Sequence, residues 1–267
     1  AANYSISAGQ TTTAHIAPKS LTVSGNTASN KIYDSNSSAT VTVTLSGCVG
    51  SETLTYTNSS SFNNKTVGTG KTVTVDSISL ADGNNGGLAS NYSVAPGQTT
   101  TANITAKALT VSGITASSKT YDGSTSATLD TSSVLYSGLI AGDTFNGTYT
   151  GAFSDKNVGT GKTVTITSSY SGADSGNYSV TNQSSTTADI SSKALTATAS
   201  VSNKTYDATN SATATLTLAG LVGSETLGST NTSTFNNKNV GSNKTVTVNS
   251  ITLADGSNGG LAANYSI

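Results

Sequence analysis

A 267-residue chain with net charge −1, 9% charged residues and no Arg among its twelve basic side chains has no basic face for nucleic acid. It also has no polybasic or amphipathic segment for a membrane surface, and no apolar run long enough to cross a bilayer as a helix. A single cysteine, Cys48, excludes an internal disulfide framework. The apolar residues are periodic, so the composition describes a folded chain whose surface is Thr, Ser, Asn and Gly.

The chain opens at Ala1 without a secretory leader, so it reads as excised from something longer. Residues 1–18 read as the last strand of a preceding repeat. Asn3–Tyr4–Ser5–Ile6 and Gly9–Gln10–Thr11–Thr12–Thr13–Ala14–His15–Ile16 return as Asn91–Tyr92–Ser93–Val94 and Gly97 to Ile104. They return more loosely as Asn177–Tyr178–Ser179–Val180 and Thr186 to Ile190. Asn264–Tyr265–Ser266–Ile267 starts the string again. Three repeats follow from this frame, at 19–106, 107–192 and 193–267, the third without its last strand.

Each repeat opens on a short strand, Leu21–Thr22–Val23, Leu109–Thr110–Val111 or Leu195–Thr196–Ala197. A turn follows at Lys31–Ile32–Tyr33–Asp34, Lys119–Thr120–Tyr121–Asp122–Gly123 and Lys204–Thr205–Tyr206–Asp207. The segments Val41 to Leu45 and Ala212 to Leu218 alternate apolar residues with Thr, which predicts half-buried strands. The best-matched block comes next: Phe62–Asn63–Asn64–Lys65–Thr66–Val67–Gly68, with partners starting at Phe153 and Phe235. Alternating strands then start at Lys71, Lys162 and Lys244. Gly- and Asn-rich turns punctuate the strands, and no segment sustains a helical period. The expected fold is all-β: tandem β-sandwich domains joined by four-residue links into an extended rod.

Three motifs recur in fixed order: Lys-x-Tyr-Asp, Phe-x-x-Lys-x-Val-Gly-x-x-Lys-x-Val-Thr, and Asn-Tyr-Ser. Together they resemble the YDG and related MBG-type bacterial Ig-like repeats of large secreted adhesins, including filamentous-haemagglutinin-like exoproteins of two-partner secretion. The resemblance covers essentially the whole chain. It implies immunoglobulin-like sandwiches, a place on the bacterial cell surface or in a biofilm, and a stalk role in cell adhesion. It brings no catalytic residues and no cofactor. Only the second repeat carries the full Tyr121–Asp122–Gly123; Ser35 and Ala208 stand in the glycine position of the others, which puts that turn conformation in question there.

All twelve lysines fall in four repeat-equivalent columns, consistent with solubility, edge protection or local pairing with Asp34, Asp122 and Asp207. A sharper alternative is a Lys–Asn isopeptide cross-link assisted by an acid, as in some surface Ig-like domains. Its trios would be Lys19, Asn91 and Glu52; Lys107, Asn177 and Asp143; and Lys193, Asn264 and Glu225. The loops starting at Asp82 and Asp255 are oxygen-rich enough to consider calcium, although one carboxylate per loop suits a plain Gly/Asn turn better. His15 has Asn103 and Asp189 as equivalents and so sits in a polar, exposed column. Cys48 replaces a Leu and reads as core filler. Tyr33, Tyr121 and Tyr206, with Phe62, Phe153 and Phe235, read as packing residues, the hydroxyls bonded to backbone as in a tyrosine corner. Exposed instead, the tyrosines would suit carbohydrate stacking.

No nucleophile elbow, phosphate-binding loop or His-centred constellation is present, so an enzyme is not expected. The leading expectation is a structural stalk whose ligand-binding domain lies elsewhere in the full protein. The competing one is a binding module that contacts glycan or matrix polymer through Thr-rich strand faces. The frame also suggests head-to-tail self-association, the tail of one molecule completing the third repeat of the next by strand addition.

Overall fold

The computed structural model describes residues 8–267, and residues 1–7, including the Asn3–Tyr4–Ser5 string, lie outside the described residues. Among the described residues there is no α-helix; the elements are strands and three single-turn 3-10 helices. The Val/Thr alternation does what a two-residue period demands. Val41 and Val43 are buried while Thr42 and Thr44 face solvent.

The chain divides into two compact units, and the division runs through the middle repeat. One unit comprises Ala1–Leu109, Gly138–Phe145 and Gly172–Ser179. Its main sheet has the order Lys31–Ile32, Thr99–Thr105, Gly68–Asp82, Leu54–Phe62. The first pair is parallel and the others antiparallel. Thr22–Ala28 pairs with Val41–Ser46 in a separate antiparallel sheet. Val41, Val43, Phe62, Val73, Val75 and Ile104 supply the buried apolar side chains. Residues 8–18 carry no strand and are exposed throughout.

The other unit comprises Thr110–Ser137, Asn146–Ser171 and Val180–Ile267. Its largest sheet repeats the order, with Lys119–Thr120, Ser185–Ser191, Gly159–Ser171 and Asn146–Phe153 extended by Ser126–Ala127. In the third repeat, Leu227–Phe235 pairs with Val246–Asp255, and Thr196–Val201 pairs with Ala214–Ala219. Tyr121, Phe153, Val164, Ala188, Ile190, Leu195 and Tyr265 form one buried cluster.

Two sequence expectations change in detail. The single strand expected over Ala212 to Leu218 is broken at Thr213. Ser211–Ala212 pairs with Leu227–Phe235, while Ala214–Ala219 pairs with Thr196–Val201, so the chain changes partner there. The Asn-Tyr-Ser string is not one strand either. Its Asn ends a 3-10 turn, at Ala89–Asn91, Ser175–Asn177 and Ala262–Asn264. Its Tyr then starts a short strand; in the first and third repeats this strand runs parallel to Lys19–Ser20 and Lys193–Ala194.

Candidate functional site

The Lys-x-Tyr-Asp turn is pinned by its own side chains. Lys31, Lys119 and Lys204 pair with Asp34, Asp122 and Asp207 at 2.7, 2.8 and 2.8 Å. Each ammonium also sits over the phenylalanine of the next block, Phe62, Phe153 or Phe235, at 5.6, 5.4 and 5.7 Å. The aspartates accept backbone N–H groups two residues on, closing the turn. Asp207 is thereby held down to about 2, first by the Lys204 ammonium. The third turn position is left-handed in all three repeats: φ is 67° at Ser35, 77° at Gly123 and 64° at Ala208. The turn survives loss of its glycine, at the conformational cost an L-residue carries there.

In the first two repeats this turn aims the tyrosine at the following repeat, and its hydroxyl reaches an acid there, not backbone as the corner analogy suggested. Tyr121, 1% exposed, donates to Glu225 Oε1 at 2.7 Å. The second carboxylate oxygen accepts from Tyr265 at 2.6 Å. Lys156 reaches the same carboxylate at 2.9 Å. The Tyr121 and Tyr265 rings meet edge to face with centroids 5.4 Å apart. Beside them Asn264, 1% exposed, accepts the Val158 N–H at 2.9 Å and donates to Asn157 at 3.1 Å. Gly123 lies in the same joint, where a Cβ would stand 2.8 Å from Val222 Cγ1.

The first and second repeats meet through the same columns. Tyr33 donates to Asp174 Oδ1 at 3.4 Å, and Ser35 Oγ donates to Asp143 Oδ1 at 2.8 Å. Lys65 lies 3.2 Å from Asp174 and 3.7 Å from Asp143. Tyr178 donates to Asp143 Oδ2 at 2.6 Å and packs edge to face on Tyr33 at 5.7 Å. Asn177 accepts the Val67 N–H at 3.0 Å. The shorter Asp143 is supplemented by Asp174 and by the Ser35 hydroxyl, whereas Glu225 serves its joint alone.

Burial pushes Glu225 and Asp143 upward, but the bonds they accept outweigh it. Tyr265, Tyr121 and Lys156 bring Glu225 below its ordinary value. Tyr178, Ser35, Tyr33 and Lys65 do the same for Asp143. The phenols move the other way: burial, then the hydrogen bond to the acid, pushes Tyr178 and Tyr265 up to about 12. Each joint is therefore an anion held between phenols and an ammonium, able to lock two repeats together.

The isopeptide trios have different neighbours from those expected. The lysine beside Glu225 is Lys156, not Lys193, and the lysine beside Asp143 is Lys65, not Lys107. Asn177 and Asn264 take backbone N–H groups of the preceding repeat. In the first repeat Glu52 accepts from Tyr92, and Asn91 is exposed; Lys19 lies in the strand beside Tyr92. The calcium candidates close their loops: Asp82 accepts the Ala89 N–H and Asp255 the Ala262 N–H, each at 2.7 Å. Among the described residues no group of three or more His, Cys, Asp or Glu side chains is placed to hold a metal. Cys48 is half-buried and His15 exposed.

Compared with known families, the chain matches the YDG domain three times, over residues 17–102, 105–188 and 191–267. No curated protein and no solved structure gives a match.

Proposed function

The chain belongs to the YDG domain family, carried three times in tandem, and from that membership we propose that it is a spacer. In this reading each repeat is an Ig-like sandwich in the stalk of a secreted bacterial surface adhesin, and its role is mechanical, not catalytic. The supporting observation is the recurrent joint. Tyr121, Lys156 and the Val158 N–H engage Glu225 and Asn264 of the following repeat, as Tyr33, Lys65 and the Val67 N–H engage Asp143, Asp174 and Asn177. A stalk works by keeping distance, and polar bonds on both sides of a buried tyrosine resist bending better than a flexible linker. Small-angle scattering on chains of one, two and three repeats tests it. The maximum dimension should grow by about 25–40 Å per repeat, judged from strand lengths and loops. A compact profile that does not lengthen with repeat number refutes the spacer.

A second reading rests on the Thr42 and Thr44 side chains, which face solvent from one strand. Such faces would contact glycan or matrix polymer directly. A glycan array without binding removes this alternative and leaves the spacer untouched.

A further inference from the structure

In the first repeat the segment that opens the fold runs beside the segment that closes it, in the same direction. Lys19 pairs with Tyr92 and Ser20 with Ser93; further along, Lys31 pairs with Ile104 and Ile32 with Thr105, and both ladders are parallel. Partners stand 73 residues apart at either end, so the register is the same at both. Between the two ladders Thr22–Ala28 lies against Thr99–Thr105.

Main-chain and side-chain bonds lace this seam. The Leu21 N–H donates to Ser93 O at 2.7 Å and the Tyr33 N–H to Thr105 O at 2.9 Å. Asn30 Oδ1 accepts the Asn103 N–H at 2.7 Å, and Thr105 Oγ1 donates to Lys31 O at 3.3 Å. The second repeat is laced in the same way, with partners 71 residues apart. Lys119 pairs with Ile190 and Thr120 with Ser191, again parallel, and Ser118 Oγ accepts the Asp189 N–H at 3.0 Å. The Tyr121 N–H donates to Ser191 O at 2.8 Å. The Gln183 amide bonds both main-chain groups of Ile114, at 2.9 and 2.6 Å.

We propose that this seam is a force-bearing clamp, which lets a repeat carry tension along the chain without unfolding. The chain enters the repeat at the start of the opening segment and leaves it at the end of the closing one. Tension therefore pulls two parallel neighbours in opposite directions along their common axis. Hydrogen bonds across a seam loaded in this way share the load and must break together, whereas bonds opened from one end break singly. Slippage brings no relief. Tyr33 and Ile104 are buried on the two sides of the seam, each 1% exposed, and a one-residue shift would turn a strand's core residues outward. The closing strand Thr99–Thr105 is also held along its other edge by Gly68–Asp82, so the parallel seam is the line that yields.

Clamp and joint are adjacent in the chain. Tyr33 and Tyr121 give the last main-chain donor of each seam, and their hydroxyls hold acids of the following repeat. The clamp rests on the stalk reading only for the direction from which the load comes. Its strength belongs to the single repeat and is measured there.

Single-molecule force spectroscopy on the full chain tests the clamp, with Cys48→Ser removing the native thiol. Handles at Pro18→Cys and Ala106→Cys load the first repeat in shear. Handles at Pro18→Cys and Asn91→Cys open the same seam from one end. The rupture force should be at least about twofold higher in shear, because several hydrogen bonds then share the load that otherwise falls on one. Asn30→Ala removes the acceptor of the Asn103 N–H and should lower the shear force. It should leave the opening force unchanged, since opening starts at the other end of the seam. Pro18, Asn30 and Asn91 are exposed, so these variants keep the fold. Equal forces in the two directions overturn the proposal, as does a shear force that Asn30→Ala leaves untouched. Equal forces in a chain whose scattering lengthens with each repeat remove the clamp and leave the spacer standing.

Discussion

The Tyr121 hydroxyl and the Glu225 carboxylate meet at 2.7 Å although 104 residues separate them, and both side chains are buried. One belongs to the turn that marks each repeat and the other to the repeat that follows. The bond makes the signature tyrosine a joint residue. Tyr121→Phe keeps the ring packing on Tyr265 but removes one donor from a buried carboxylate, which costs about 1–3 kcal/mol. Urea unfolding should show that loss, whereas Tyr206→Phe, at an exposed tyrosine, should be close to neutral.

The joints should also make the fold sensitive to pH at both ends. Glu225 and Asp143 titrate lower in the folded chain than normal. Their contribution is present above the unfolded carboxylate values near about 4 and is lost as pH falls through the folded ones. Tyr178 and Tyr265 are pushed up to about 12. Their contribution is present below the unfolded phenol value near about 10 and is lost as pH rises through the folded one. Thermal melts across pH should fall off on both sides, and Glu225→Gln should flatten the acid side.

The left-handed turn position separates backbone cost from joint chemistry. Ala208 holds φ 64° with no compensating side-chain bond available to a methyl group. Ala208→Gly should therefore stabilise the third repeat by about 0.5–1 kcal/mol. Ser35→Gly relieves the same strain but deletes the hydroxyl that bonds Asp143 and Lys65, so its gain should vanish or reverse. Gly123→Ala adds a left-handed Cβ against Val222 and should destabilise by about 1–3 kcal/mol. Calorimetry on the three variants gives the order.

Asn264 tests the other half of the joint. Its carbonyl oxygen takes the Val158 N–H in a buried position. Asn264→Ala leaves that donor without its partner and should cost about 1–3 kcal/mol. Asn91→Ala, at an exposed equivalent, should cost little.

What the sequence made readable was what short-range chemistry controls. Val41 and Val43 alternate with Thr42 and Thr44, and that local period is enough to locate a strand and its buried face. The Lys31–Asp34 pair lies within one turn, so it too was within reach. The joints were not, because their halves sit in different repeats. The columns Lys65/Lys156/Lys238 and Glu52/Asp143/Glu225 both stand in the sequence, but a lysine column reads first as solubility and an acid column as a proton carrier. Their matched recurrence, a cation in one repeat for an anion in the next, was the signal available. Asp174 had none, since the loop carrying it departs from the repeat pattern. The tyrosine corner analogy misled for a related reason: Tyr92, Tyr178 and Tyr265 do accept backbone N–H groups, from Val49, Ile140 and Val222, while Tyr33 and Tyr121 reach carboxylates.

The most direct test is a double-mutant cycle across the second joint. Tyr121→Phe, Glu225→Gln and the double variant are compared by urea unfolding of the full chain. If the signature tyrosine couples neighbouring repeats through the buried acid, the two single losses exceed the double loss by about 1–2 kcal/mol. Additivity within about 0.3–0.5 kcal/mol would contradict it, leaving the tyrosine and the acid as independent packing residues of separate domains.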